Sequence, residues 1–158
     1  MPDTTGTQFL AEGIGRYAQA LETIAVFETL LRNRLQKVAQ EYSSKSFTPT
    51  SAQLTSGVGG NVAGKWIWAG RQGRLQSKGL VWLELGLWWN EDQVAYYCNF
   101  CDDNNKALPF TYGGNHPRVD FKKWSKSARL FMLTSKERFE AMDEDFQILL
   151  NELTNSFS

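Results

Sequence analysis

The chain is poor in the residues from which catalytic and metal centres are usually made. Its 158 residues include one histidine, His116, and two cysteines, Cys98 and Cys101. A closed zinc site takes four ligands, so Cys98-Asn99-Phe100-Cys101 with one remote histidine does not supply one. A thioredoxin-type pair would open a helix, whereas this pair lies in a strand pattern with Cys98 on its apolar side. Asp102-Asp103-Asn104-Asn105 has turn composition and lacks the spaced oxygens and terminal Glu of a calcium loop. No GxSxG elbow frames a nucleophile, so no triad can be assembled around His116. These absences lead us to expect no metal, no other cofactor and no catalysis.

Net charge is missing too. The 17 basic and 17 acidic residues cancel, leaving no field to draw in nucleic acid or an anionic membrane. The longest apolar runs are broken by Glu84 and Asn90, well short of the roughly 18 residues of a spanning helix. The opening MPDTTGTQFLAEG has neither a basic nor an apolar signal region, which predicts a cytoplasmic protein. The length predicts a single domain, 1–158, with a flexible segment 1–9.

What is present is a strong hairpin pattern from Gly79 to Phe100. Val81, Leu83, Leu85, Leu87 and Trp89 alternate with a mixed set, and Val94, Tyr96, Cys98 and Phe100 alternate after Asn90-Glu91-Asp92-Gln93. Setting Trp89 opposite Val94 pairs Leu87 with Tyr96, Leu85 with Cys98 and Leu83 with Phe100, and a one-residue slip would turn one apolar set outward. This register leaves Trp82, Glu84, Gly86, Trp88, Ala95, Tyr97 and Asn99 on the other face, with Tyr97 facing Gly86.

Around the hairpin the chain offers two helices. Leu10, Ile14, Tyr17, Leu21, Ile24, Leu31, Leu35, Val38 and Tyr42 follow steps of four and three, interrupted only by Glu28, which reads as a residue pairing with Arg32 at the stripe's edge. With Gly13 and Gly15 discounted, a continuous helix is expected from about Arg16, roughly 39 Å long over ~26 residues. Thr134-Ser135-Lys136-Glu137 matches a capping box, and Phe139, Met142, Phe146, Leu149, Leu150, Leu153 and Phe157 then mark a C-terminal helix whose acidic residues read as solvated. Residues 43–64, rich in Ser, Thr, Gly and Pro, read as a long loop. Gly59 to Lys65 fits GxxxxGK, but Trp66 stands where a phosphate loop needs Ser or Thr. Short strands are expected at 65–70, 107–112 and 129–133. Arg71, Arg74 and Lys78 fall in a turn, and Lys122, Lys123 and Lys126 surround Trp124 on an amphipathic turn.

Helices bracketing four or five hairpin-linked strands imply an α+β two-layer fold: an antiparallel sheet with the long N-terminal helix and the C-terminal helix on one face. The order of elements resembles that of small bacterial immunity and inhibitor proteins. Five of the six tryptophans lie between positions 66 and 89, more than one core layer absorbs, so the uncovered face is expected to be aromatic and to bind. The candidate residues are Trp82, Glu84, Trp88 and Tyr97, with Arg71 and Arg74 as a charged rim. The expectation is a non-catalytic module that docks a protein partner or forms a homodimer through this face. The alternative is a small-molecule or enzymatic site, with the 43–64 loop closing over Trp82, Glu84 and Trp88, Arg71 or Arg74 holding an anion, and burial raising the Glu84 pKa.

Overall fold

The hairpin forms the centre of the sheet in the register its alternation requires. Strands β3 (Gly79–Trp89) and β4 (Val94–Cys101) pair Trp89 with Val94, Leu87 with Tyr96, Leu85 with Cys98, Leu83 with Phe100 and Gly86 with Tyr97. Asn90 closes the turn, its Oδ1 accepting the amides of Asp92 and Gln93 at 2.8 Å each. Leu83, Leu85, Leu87, Tyr96, Cys98 and Phe100 are buried on one face. Each such side chain contributes about 1.5–3 kcal/mol through burial.

The computed structural model describes residues 4–124 and 127–157. Its sheet is antiparallel with six strands rather than four or five, adding β1 (Phe47–Asn61), β2 (Gly64–Leu75), β5 (Val119–Trp124) and β6 (Ser127–Thr134) in the order β1-β2-β3-β4-β6-β5. Most of the expected 43–64 loop is therefore strand. Its glycines are not hinges: Gly57 and Gly59 pair with Trp68 and Trp66, and a Cβ at either would strike the opposing indole. The GxxxxGK segment is the β1–β2 turn, where Asn61 Oδ1 accepts the Ala63 and Gly64 amides at 2.8 and 3.3 Å. Residues 107–112 form no strand beyond one bridge, Cys101 to Ala107. Pro109 interrupts the ladder, and Phe110 packs instead against Phe121 and Phe157, each with ring centres 5.2 Å apart. The basic segment around Trp124 is strand β5 rather than a helical turn; Lys126 lies outside the described residues.

By compactness the chain divides into Met1–Leu31 and Arg32–Ser158. Helix α1 spans Thr4–Glu41, so it runs through Gly13 and Gly15 and includes most of the segment expected to be flexible. Among the described residues no helix is long and apolar enough to cross a membrane. Within the second unit, the last turns of α1 bury Leu35, Val38 and Ala39, followed by Tyr42. The Tyr42 hydroxyl lies 2.6 Å from Thr154 Oγ1 and donates to Leu150 O at 3.1 Å, tying this end to α2 (Met142–Asn155). Helix α2 packs on the apolar sheet face through Phe146 on Tyr96, ring centres 4.7 Å apart, with Phe157 just beyond its end on Phe100 at 5.4 Å.

The capping box does not form. Ser135, not Thr134, takes the cap position and makes no side-chain cap bond, the Thr134 hydroxyl donates to Ser135 O at 3.5 Å, residues Lys136–Ala141 are a 3-10 turn, and α2 starts at Met142. The acidic run is not all solvated either. Asp145 is buried and takes both nitrogens of Arg118 at 3.0 and 2.9 Å and Arg138 Nη2 at 3.0 Å. Burial acts to raise its carboxyl, but the bonds and charges of the two arginines outweigh that and hold it below the ordinary range.

Candidate functional site

The face of the sheet turned away from α2 is floored by aromatic rings laid over glycines. Alternation from the pairings puts Trp66 and Trp68 of β2, Trp82, Glu84 and Trp88 of β3, Tyr97, Asn99 and Cys101 of β4, and Arg129 and Phe131 of β6 on this face. A Cβ at Gly57, Gly64 or Gly86 would come within 2.7 Å of Trp68, Trp88 or Tyr97 respectively, and Gly59 and Gly70 sit as closely under Trp66 and Trp82. Side chains here lie flat across neighbouring strands because glycine leaves the room. Trp88, Ala95, Tyr97 and Phe131 form a buried cluster, and Trp66 and Trp68 pack half-buried on it.

Between the rings runs a trough of about 630 Å³ lined by Trp66, Trp68, Trp82, Glu84, Asn99 and Arg129, among others. Trp68, Trp82 and Asn105 also border an adjoining hollow of about 480 Å³. One wall is the turn after β4. Asp102 Oδ1 accepts the amides of Asn104 and Lys106 at 2.9 Å each, and Asn105 takes the left-handed φ of 61° that Asn tolerates. The bridge from Cys101 to Ala107 folds this turn back beside the trough.

At the floor, Tyr97 OH donates to Glu84 Oε1 at 3.4 Å and Cys101 Sγ to Glu84 Oε2 at 3.8 Å, while Asn99 Nδ2 donates to Cys101 Sγ at 3.1 Å. Burial raises the Glu84 pKa, opposed by the charge of Arg129 and by these bonds. Burial and the adjacent Glu84 push the Cys101 thiol up to about 12, so it stays protonated and is no nucleophile at neutral pH. Arg129 lies over the Tyr97 ring at 5.4 Å. Two floor atoms have no hydrogen-bond partner among the described residues: Asn99 Oδ1, on a fully buried residue, and Arg129 Nε. Among the described residues no three His, Cys, Asp or Glu side chains gather to hold a metal.

The structure brings together Trp82 and Glu84 of the expected site. Trp88 and Tyr97 share their face but are buried, 8% and 2% exposed, beneath the half-buried rings. They line a side recess of about 230 Å³ with Trp66 and Arg129. Arg71 lies on the opposite face, buried, donating to Gln40 O at 2.9 Å. Arg74 is exposed at the sheet's end, opposite Leu80. The 43–64 segment forms no lid, since β1 belongs to the sheet. Sequence reasoning missed Asn99 and Arg129 as site groups. Asn99 had a signal, a polar residue between apolar neighbours in a central strand; Arg129 had none until β6 was placed beside β4.

Comparison with protein-family models, curated proteins and solved structures returns no match.

Proposed function

We propose that the protein is a non-catalytic binding protein whose site is this trough, and that its ligand is a neutral polar molecule with one flat apolar face, of the kind a sugar ring presents. The observation that carries the reading is Asn99 Oδ1, fully buried at the trough floor without a partner among the described residues. Buried polar atoms are ordinarily satisfied, and leaving one unpaired costs about 1–3 kcal/mol. A ligand hydroxyl or amide donating to Asn99 would remove that cost, and one accepting from Arg129 Nε would satisfy the second orphan. Glu84 and Arg129 offset each other's charge, which favours a neutral ligand over an anion or a cation. The indoles of Trp66, Trp68 and Trp82 offer flat faces to stack on.

A second reading keeps the immunity- or inhibitor-like module, in the cytoplasm, with a partner protein inserting a polar side chain into the same trough. It has support from Leu80, 51% exposed on the trough side, and from the exposed Arg74 at the rim. Tryptophan fluorescence titration against neutral oligosaccharides, nucleosides and short peptides separates the two. Saturable binding of one neutral class, weakened at least tenfold by Trp82→Ala and by Asn99→Ala with the fold intact, supports the first. Binding only to peptides supports the second, and binding only to polyanions sinks both.

A further inference from the structure

A different surface, on the first unit, carries an apolar stripe at a seven-residue period. Leu10, Ile14, Tyr17, Leu21 and Ile24 are 49–72% exposed, and Phe27 and Leu30 are exposed beside them. Steps of four and three average 3.5 residues, the spacing that keeps a stripe facing a second helix wound around it. With Ile14 and Leu21 at the a positions and Leu10, Tyr17 and Ile24 at d, the flanking e positions are Ala11, Ala18 and Ala25 and the g positions Gly13, Ala20 and Phe27. Small residues on the e flank throughout, and on the g flank as far as Ala20, let another backbone come close, with Phe27 adding an apolar contact at the edge.

We propose that this segment pairs with the same segment of a second copy, side by side and antiparallel. The direction follows from charge. Glu28 occupies the next a position, so a parallel pair would set two Glu28 carboxylates against each other in the seam, which is unfavourable. An antiparallel pair moves the two Glu28 carboxylates to opposite ends of the seam, each facing Leu10 instead of its own copy. The area is sufficient: the stripe's large side chains, exposing roughly 100 Å² each, would together cover about 700 Å² per copy, close to the ~800 Å² of a standard interface.

Sedimentation velocity on the full chain over a range of concentrations tests this. The expected result is a dimer that dissociates on dilution, becomes monomeric in a Leu21→Asp, Ile24→Asp variant with an unchanged melting temperature, and tightens at least tenfold in Glu28→Leu. Should the double substitution also unfold the chain, Glu28→Leu alone decides, because no tightening there overturns the proposal. Spin labels give the direction. A label at Gln19, near the middle of the segment on the outer side of the helix, should lie about 20 Å from its copy, two helix diameters, whereas one at Gln8 should lie well over ~30 Å from its own because of the offset of 1.5 Å per residue along the axis. Equal distances of about 20 Å at both positions would mean a parallel pair and overturn the arrangement. A monomer at every concentration, or a dimer that survives the two aspartates, overturns the pairing itself.

Discussion

The two faces of the sheet are built from the same strands with the same alternation, yet they are closed in different ways. On one, Leu83, Leu85, Leu87, Tyr96 and Phe100 are sealed by α2 and the last turns of α1. On the other, the aromatic rings cover the sheet themselves by lying over glycines of the neighbouring strands. The first solution buries these side chains completely. The second leaves half-exposed indole faces and polar atoms between them, which is what a binding site needs. An alternating strand therefore declares which residues share a face, but not how that face is covered.

The largest effects should come from the sealed face. Asp145→Ala should cost about 1–3 kcal/mol, because it removes the buried carboxylate that accepts from Arg118 and Arg138 while those two arginines, 33% and 45% exposed, keep access to water. Leu85→Ala should cost about 2–5 kcal/mol, against well under that for Leu80→Ala on the trough side, where the side chain is half exposed. Urea unfolding of the three variants measures the contrast. Equal losses at Leu80 and Leu85 would erase the distinction between the faces.

Next come two changes that probe how the open face holds itself together. Trp88→Ala should cost about 3–5 kcal/mol, as a buried ring does, whereas the half-buried Trp82→Ala should cost about 1 kcal/mol or less. Gly86→Ala should cost about 1–3 kcal/mol, since the added methyl meets the Tyr97 ring at 2.7 Å and the Ile67 carbonyl at 2.5 Å. Thermal unfolding distinguishes them. A neutral Gly86→Ala would mean the rings are not seated on glycine.

The central hairpin was legible because both of its strands are apolar on one side only, so a single register satisfied every pair. Strand β1 was not, because Thr and Gly fill its positions and its partners are the indoles of β2; the signal lay in Gly57-x-Gly59 against Trp66-x-Trp68, a pattern that needs both strands at once. Arg71 was misplaced for a related reason. Three cations close in sequence read as a turn, but β2 continues to Leu75 and alternation turns Arg71 toward the helices, where the Gln40 carbonyl receives it. The acidic start of α2 hid Asp145 because its partner Arg118 is distant in sequence and sits in an irregular segment. Glu84 was recognisable from its tryptophan neighbours, whereas its bonds to Tyr97 and Cys101 across the ladder required the register.

The smallest effect is also the one that sets the faces most directly against each other, through the sign of their pH dependence. Asp145, on the helix side, has its pKa lowered from 3.8 in the folded chain. The unfolded state therefore binds its proton more readily, so the stability it contributes is complete above 3.8 and is lost as pH falls toward the lower folded value. Glu84, on the trough side, has its pKa raised from 4.5 by burial. Here the folded state holds the proton more tightly, so its contribution is complete below 4.5 and is lost as pH rises through the folded value. Unfolding free energy measured from pH 3 to 8 should accordingly change in two ways on mutation. Asp145→Asn should flatten the acid limb, and Glu84→Gln should flatten the slope above pH 4.5 and lift stability at neutral pH. A ligand that accepts a hydrogen bond from Glu84 would bind the protonated form and weaken as pH rises, whereas one that donates to it would do the reverse. If Glu84→Gln leaves the whole curve unchanged, the trough is wetter than the buried Asn99 implies, and the difference between the faces is one of geometry without electrostatics.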